Sequence, residues 1–381
     1  MSKQILELKL ETMASGGEAL SNHEGKKIFV PEGVPGDLVK VELVEEKKDF
    51  ARGRILEMLE PSLHRQKAEC PYFFTCGGCQ WQHIQYKGQL AFKQDLLRVA
   101  LQRIGKIPNP NLLEALGAFQ PFHYRNKIRL QVSKEAKVGF YKSHSKQLVE
   151  IDSCLIAEEA LNNKIPQAKA LARQLLAQNP TKLHEIEIFQ EGGKVLLQAN
   201  PGPERSFGQV NSDQNLRLKE KVLGYLNLSG KENVLELFAG EGNFTFSIAE
   251  KCRFVMAVES NTQAVLGAEK KMSQSHHKNI EFIESTVSRF LQNPLPLLKG
   301  KGGRFNRILL DPPRRGMMLD LGKLALLKVP EMIYVSCDPA TLARDVKDLQ
   351  DLGYQHDFSQ VIDMFPQTYH VESMTRLFLA S

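Results

Sequence analysis

Apolar residues follow two different rhythms along the chain, and the rhythm changes near position 206. At the start they alternate with polar ones. Leu6, Leu8 and Leu10 are spaced by Glu7 and Lys9, so the leucines face one way. Apolar runs follow at Ile28–Val30, Leu38–Leu43 and Arg54–Leu56, separated by Gly16-Gly17, by the stretch Pro31–Asp37 and by Lys47–Asp49. That punctuation predicts short strands. Several strands within residues 1–60 predict a small closed β-barrel, an architecture that commonly binds RNA. Pro61 marks the next boundary. Residues 61–205 predict an α+β domain: a helix near 87–104, strands at Lys127–Val132 and Val138–Tyr141, a helix near 157–177, and strands at Glu185–Phe189 and Lys194–Ala199. From 206 to 381 strand and helix alternate, which predicts a parallel α/β sheet.

No run of about 18 apolar residues occurs, so no membrane helix is expected. The first residues mix charged and apolar types without a signal-peptide core, which predicts a cytoplasmic chain. Thiols stay reduced in that compartment. The six cysteines therefore point to metal, catalysis or packing rather than to a disulfide framework. A formal charge of +6 permits a polyanionic partner without requiring one. A monomer is expected.

The chemistry concentrates after position 206. Asn233–Leu237 reads as a strand, followed by Phe238-Ala239-Gly240-Glu241-Gly242-Asn243 and a helix start. Glycines there let a ligand approach the backbone closely. The turn lacks the third glycine of a dinucleotide fingerprint. A second apolar strand, Phe254–Val258, ends in Glu259, 17 residues past Gly242. An acidic residue at that strand tip suits a ribose diol, and together these features favour S-adenosylmethionine. A later strand ends in Asp311-Pro312-Pro313-Arg314. D-P-P also occurs in amino-methyltransferases, where an aromatic residue follows and stacks on the target base. Arg314 in its place argues against methylation at nitrogen.

Cys337 lies in Ser336-Cys337-Asp338-Pro339-Ala340-Thr341-Leu342-Ala343-Arg344-Asp345, and Glu372 follows 35 residues later in Val371-Glu372-Ser373-Met374. Both are expected in loops after apolar β-type runs. A lone cysteine after a strand is ordinarily a small buried hydrophobe. A thiol and a carboxylate beside a methyl-donor site suit a more specific reaction, methylation of a pyrimidine at carbon 5. That carbon becomes nucleophilic only after a thiolate adds to carbon 6, and a base must then remove its proton. The target base must leave its stack to be reached. His123-Tyr124-Arg125-Asn126-Lys127-Ile128-Arg129 mixes aromatic and basic residues, as an RNA-contacting strand would.

Taken together these motifs resemble the RNA uracil-C5 (5-methyluridine) methyltransferases, in particular bacterial 23S rRNA members that carry an N-terminal TRAM barrel and an iron–sulfur cluster. The resemblance covers essentially the whole chain. It implies a multidomain α/β protein: a TRAM, OB-like barrel at 1–60, an α+β iron–sulfur domain at 61–205 and a Rossmann-like methyltransferase domain at 206–381. It implies Cys337 as nucleophile and Glu372 as base. Ser206-Phe207-Gly208-Gln209-Val210-Asn211 is similar to the family's F-x-Q-V-N element. It implies that Gln209, Phe238, Asn243, Glu259, Ser285 and Asp311 contact the cofactor. Two positions depart from the common pattern: Ser285, where Asn or Asp is frequent, and Asp338, where Asn is frequent. The implied substrate is 23S rRNA, with tRNA as the alternative. A non-catalytic RNA-binding or iron–sulfur module is the rival from another class.

Cys70-x5-Cys76-x2-Cys79 is followed by Cys154, 75 residues beyond Cys79. The spacing alone leaves a [4Fe–4S] cluster and a zinc ion both open. The resemblance to cluster-bearing members implies the cluster. Cys252 reads as packing.

Overall fold

The computed structural model describes residues 4–179, 183–202, 208–292 and 304–380. They form two compact units, one from Met1–Leu96, Ala118–Pro201 and Phe365–His370, the other from Leu97–Gly117, Gly202–Met364 and Val371–Ser381. Ser206 and Phe207 of the F-x-Q-V-N element, and the expected boundary at 205, lie outside the described residues.

The first unit holds two sheets. Strands β1 (Ile5–Lys9), β2 (Thr12–Met13), β3 (Ala19–His23), β4 (Lys26–Val30), β5 (Leu38–Glu46) and β6 (Phe50–Glu60) pair in the order β1-β5-β6-β4-β3-β2. Leu8 and Leu10 are buried with Ile28, Val39, Val41 and Trp81, as the alternation predicts. The expected barrel is not closed by hydrogen bonds among the described residues: the outer strands β1 and β2 do not pair with each other. They are consecutive stretches of one bent run. At the bend the Leu10 N–H donates to Asp37 O at 2.9 Å and the Glu11 N–H to Leu20 O at 2.8 Å. The chain itself bridges the two sheet edges, so no ladder forms there.

The second sheet comprises β7 (Lys127–Val132), β8 (Val138–Tyr141), β9 (Leu148–Glu150), β10 (Glu185–Glu191) and β11 (Lys194–Ala199), in the order β11-β10-β7-β8-β9. Helix α1 (Tyr86–Arg103) precedes it. The helix expected near 157–177 is broken into α2 (Glu159–Asn162) and α3 (Ile165–Gln178). Pro166 stands in the first turn of α3. Its missing N–H is tolerated there but would interrupt a continuous helix.

The second unit is built on β12 (Asn233–Leu237), β13 (Phe254–Glu259), β14 (Ile280–Glu284), β15 (Arg307–Leu310), β16 (Glu331–Ser336), β17 (Tyr354–Ile362) and β18 (Glu372–Leu379). Their order is β14-β13-β12-β15-β16-β18-β17. The sheet is mixed rather than wholly parallel: β14 to β16 run parallel through β12, while β18 is antiparallel to both β16 and β17. Helices α4 (Ser212–Leu226), α5 (Thr245–Ala249), α6 (Thr262–Ser273), α7 (Val287–Phe290), α8 (Leu321–Ala325) and α9 (Pro339–Asp351) connect and cover the strands. Every residue of β12 and β16 is buried, as expected of strands covered on both faces. The chain winds outward from β12 in both directions. That reversal opens a crevice at the carboxyl ends of the strands, where ligands bind in such sheets.

A buried carboxylate fixes the turn before β5. Asp37 is fully buried. It accepts from Val34 N at 2.7 Å and Ser62 N at 2.8 Å and pairs with Arg65 at 2.5 Å. Asp37→Ala is expected to destabilise the first unit by about 2–4 kcal/mol, since it strands buried donors and a guanidinium. Chemical denaturation checks this; a loss within error of zero would show that water replaces the carboxylate without cost.

Candidate active site

Cys337 and Glu372 meet because of strand register. β16 and β18 pair antiparallel with Ser336 opposite Ser373. One step further, Cys337 stands beside Glu372, though the two are 35 residues apart in sequence. Glu372 therefore opens a strand and is not in a loop, contrary to the sequence expectation. An antiparallel partner is what brings the first residue of β18 to the carboxyl end of β16. Asp338 caps α9 by accepting from Thr341 N at 2.8 Å, which turns the chain sharply after the thiol.

The site is electrostatically crowded. Burial, the Glu372 carboxyl and Asp311 push the Cys337 thiol up to about 11, while Arg314 opposes them through its charge and a hydrogen bond to the sulfur. Glu372 is 5% exposed. Burial and Asp311 raise it well above the ordinary carboxyl range, with Arg314 again opposing. Asp311 keeps part of its surface open, yet its carboxyl sits among apolar strand ends and desolvation pushes it up to about 7. Arg314 was noted from sequence only as a departure from an aromatic position. Its role beside the thiol was missed; a cation in a loop shared with Asp311 was the available signal.

A second cavity, of 290 Å³, lies at the ends of β12 and β13, near the lower end of the ~300–1,000 Å³ typical of small-molecule sites. Phe238, Glu259 and Ser285 line it, with Ser260, Thr286, Arg315, Met317 and Met318. Gln209, Asn243 and Asp311 are not among the lining residues. Gln209 is half-buried ahead of α4, and Asn243 exchanges amide hydrogen bonds with Asn215 at 2.9 and 3.0 Å. Asp311 instead joins Cys337 and Glu372. The Glu259 carboxylate accepts from Gly240 N at 2.9 Å and from Ser260 and Asn261 N, both at 2.7 Å. These bonds orient it toward the cavity. Gly242 has φ +82°, and a side chain there would strike the Phe246 ring. The arrangement offers an acceptor for hydroxyl donors and an aromatic wall.

The four cluster cysteines come together in the first unit. Cys70, Cys76, Cys79 and Cys154 line one cavity with Tyr72, Gln82, Arg125 and Phe140. Among the described residues no three His, Cys, Asp or Glu converge as a ligand shell for a single ion. Burial pushes Cys76 up to about 11 and Cys79 up to about 12. The Gly78 N–H reaches the Cys76 sulfur at 3.4 Å, and the Ala157 N–H donates to the Cys154 carbonyl at 3.0 Å. Cys252 is buried, as packing requires. The expected RNA-contacting run differs. Tyr124 is buried with its hydroxyl on Pro366 O at 3.0 Å, Arg125 faces the thiols, and Arg129 pairs with Glu187 at 3.2 Å. Tyr124 and Arg125 precede β7 and turn inward together, while His123 and Arg129 stay exposed.

Beneath the active site Glu236 is fully enclosed, accepts from the Thr245 hydroxyl at 2.6 Å, and is pushed up to about 8 by burial with Asp311 adding to the effect. A folded-state value above the unfolded one gives stability that is present at acid pH and lost as pH rises through about 8. Glu236→Gln removes its share of that loss. The melting temperature of the variant is expected to fall less than that of the parent between mildly acid and mildly alkaline buffer. Equal falls would mean that Glu236 is already ionised in the folded protein.

Comparison with known proteins completes the picture. The tRNA (Uracil-5-)-methyltransferase family profile matches residues 192–379. An uncharacterised RNA methyltransferase of Bdellovibrio bacteriovorus is 33% identical over 98% of this chain and 94% of its own length. The 23S rRNA (uracil(1939)-C(5))-methyltransferase of Haemophilus influenzae is 30% identical over 94% and 93%. The crystal structure of Pyrococcus abyssi tRNA (uracil-54, C5)-methyltransferase in complex with S-adenosyl-L-homocysteine superposes with a TM-score of 0.74 at 22% identity, over 97% of this chain and 99% of that one, and so shares the fold. With full-length relatives at this identity and the family profile spanning both Cys337 and Glu372, the chain belongs to the RNA (uracil-C5)-methyltransferase family.

Proposed function

We propose that this protein transfers a methyl group from S-adenosylmethionine to carbon 5 of a looped-out uridine in 23S rRNA. The observation that carries the proposal is the antiparallel register that sets Cys337 beside Glu372 with Arg314 on the thiol. When bound, S-adenosylmethionine supplies an electrophilic methyl group. Glu259, Phe238 and Ser285, which line the cavity, would hold its nucleoside, and Gln209, Asn243 and Asp311 are proposed as further contacts. The cavity volume and the oriented Glu259 carboxylate fit that ligand.

Cys337, its proton having passed to solvent, adds as the thiolate through sulfur to uracil carbon 6, and negative charge develops toward the carbonyl at carbon 4. Arg314 favours the thiolate against the burial that opposes it. Asp311, held near neutrality, donates a hydrogen bond to the base edge in its protonated form. Carbon 5 takes the methyl group. Glu372, ionised, is a strong base because its surroundings disfavour the charge. It removes the carbon-5 proton, and the sulfur–carbon 6 bond then breaks. Cys337 and Glu372 are needed without their protons and Asp311 with its own, so activity is expected to pass through a maximum with pH rather than to rise throughout.

Cys337→Ala is expected to lower methylation of a protein-free 23S rRNA fragment more than about a thousandfold while retaining cofactor binding. Glu372→Gln is expected to trap a denaturant-resistant protein–RNA adduct, because the covalent bond forms before proton loss. Turnover without Cys337 would remove the nucleophile and leave the binding-module reading. Efficient methylation of tRNA with 23S fragments untouched would reassign the substrate.

Cys70, Cys76, Cys79 and Cys154 are proposed to hold a [4Fe–4S] cluster. Four thiols around one cavity, with the Gly78 N–H on the Cys76 sulfur, support it over a single zinc ion. The role is structural: it ties the Cys154 segment to the Cys70–Cys79 loop. Residues 1–60 are proposed as a TRAM-type RNA-binding module, in a chain that acts in the cytoplasm as a monomer. Anaerobically purified protein is expected to be brown and to contain about four irons per chain. Stoichiometric zinc under those conditions would overturn the assignment.

A further inference from the structure

The turn that carries Arg314 is held by a carboxylate on α9, the helix that follows Cys337. Asp345 lies on the inner face of α9 and is fully buried. One oxygen accepts from Met317 N at 2.7 Å and from the Tyr334 hydroxyl at 2.7 Å. The other accepts from Arg344 Nε at 2.9 Å and Nη2 at 2.6 Å. Arg344 Nη2 also donates to Arg315 O at 2.8 Å. The turn itself closes through Gly316 N to Pro313 O at 2.8 Å, with Gly316 at φ +73°. A Cβ at Gly316 would run into Asp345 Oδ2 and Thr341 Cγ2, so the turn lies flat against α9.

A buried carboxylate is costly unless fully hydrogen-bonded, and well-packed apolar residues usually stabilise a core as well or better. Asp345 is therefore an expensive way to fill this space. What it supplies is register. Its partners are β16 through Tyr334, the turn through Met317 and, by way of Arg344, Arg315. The same turn presents Arg314 to the thiol and Met317 to the 290 Å³ cavity. Met317 shifting would disturb that cavity; Arg314 shifting would leave the sulfur facing Glu372 and Asp311 alone.

We infer that Asp345 is a positioning residue: from α9 it clamps the Arg315–Met317 turn and so keeps the Arg314 guanidinium on the Cys337 sulfur. The inference deepens the assignment of Cys337 as nucleophile and rests on it. The charged groups facing the sulfur are Arg314 and Asp311 from the loop after β15 and Glu372 from β18.

The test follows alkylation of the Cys337 peptide by iodoacetamide, read by mass spectrometry on the intact holoprotein without RNA. Rates are taken across about pH 6 to 10, where the thiolate fraction sets them. Arg314→Gln is expected to slow the reaction at neutral pH and move its profile to higher pH. Asp345→Asn is expected to do the same, by ~3- to 10-fold at neutral pH, equivalent to a shift of up to about one unit. The double variant is expected to be no slower than Arg314→Gln alone, because both changes remove one interaction. A parental profile in Asp345→Asn, multiplying effects in the double variant, or no response to Arg314→Gln would each overturn the inference. A purely structural Asp345 would lower the melting temperature and leave the profile in place. Should Asp345→Asn fail to fold, Tyr334→Phe removes a single donor; a smaller shift in the same direction supports the clamp, and an unmoved profile sinks it. Failure of the nucleophile assignment is distinguishable, since it shows as RNA turnover by Cys337→Ala whatever the alkylation rates are.

Discussion

The insertion of β18 between β16 and β17 is the constraint on which the active site depends. In a wholly parallel sheet every strand would present its last residue to the ligand crevice. A single antiparallel strand presents its first residue there instead. That reversal lets Glu372, which opens β18, stand beside Cys337, which closes β16. Pairing on both sides, with Ser336 opposite Ser373 and Ile362 opposite Glu372, prevents a slip. A shift of one residue would turn Glu372 to the opposite face of the sheet. The thiol and the carboxyl are thus aligned by backbone hydrogen bonds rather than by a flexible loop.

Around that fixed pair, the sequence disposes charge against burial. Four acids are held upward: Cys337, Glu372, Asp311 and Glu236 all favour their neutral forms because they are enclosed. Arg314 is the opposing charge at the sulfur. The arrangement keeps the thiol largely protonated at rest, which limits adventitious reaction, and leaves strong bases available once a proton has departed.

Much of this was legible in the chain. The alternation of Leu6, Leu8 and Leu10, the apolar runs of β12, β13 and β16, and the glycine turn after Leu237 each follow from local chemistry, and the structure has them as read. Cys337 and Glu372 were legible as residue types in motifs. Their adjacency was not, because pairing between β16 and β18 is a long-range choice that leaves no local periodicity. The barrel was read as closed because strand count is visible in sequence and edge pairing is not. The bend at Leu10–Glu11 diverts two N–H groups to different partners. In the His123–Arg129 run, sequence did not show that Tyr124 and Arg125 turn inward: mixed aromatic and basic residues look the same whether they face solvent or a thiol-lined cavity.

The two sites of the molecule solve one physical problem in the same way. Each gathers acidic groups that repel one another when ionised, and burial keeps them neutral until a positive partner arrives. In the first unit Arg125 is the positive partner of Cys79 and Cys154, and it favours their ionised form. In the second the partners are Arg314 and a cationic methyl donor. Such sites are poorly stabilised by their own side chains, so they need a rigid surround. The surround is visible in both: the Gly78 N–H on the Cys76 sulfur in the first, and the bonded carboxylates of Asp345 beneath the Arg314 turn and of Glu259 at the neighbouring cavity in the second. Fixed backbone donors cost no reorganisation when charge appears.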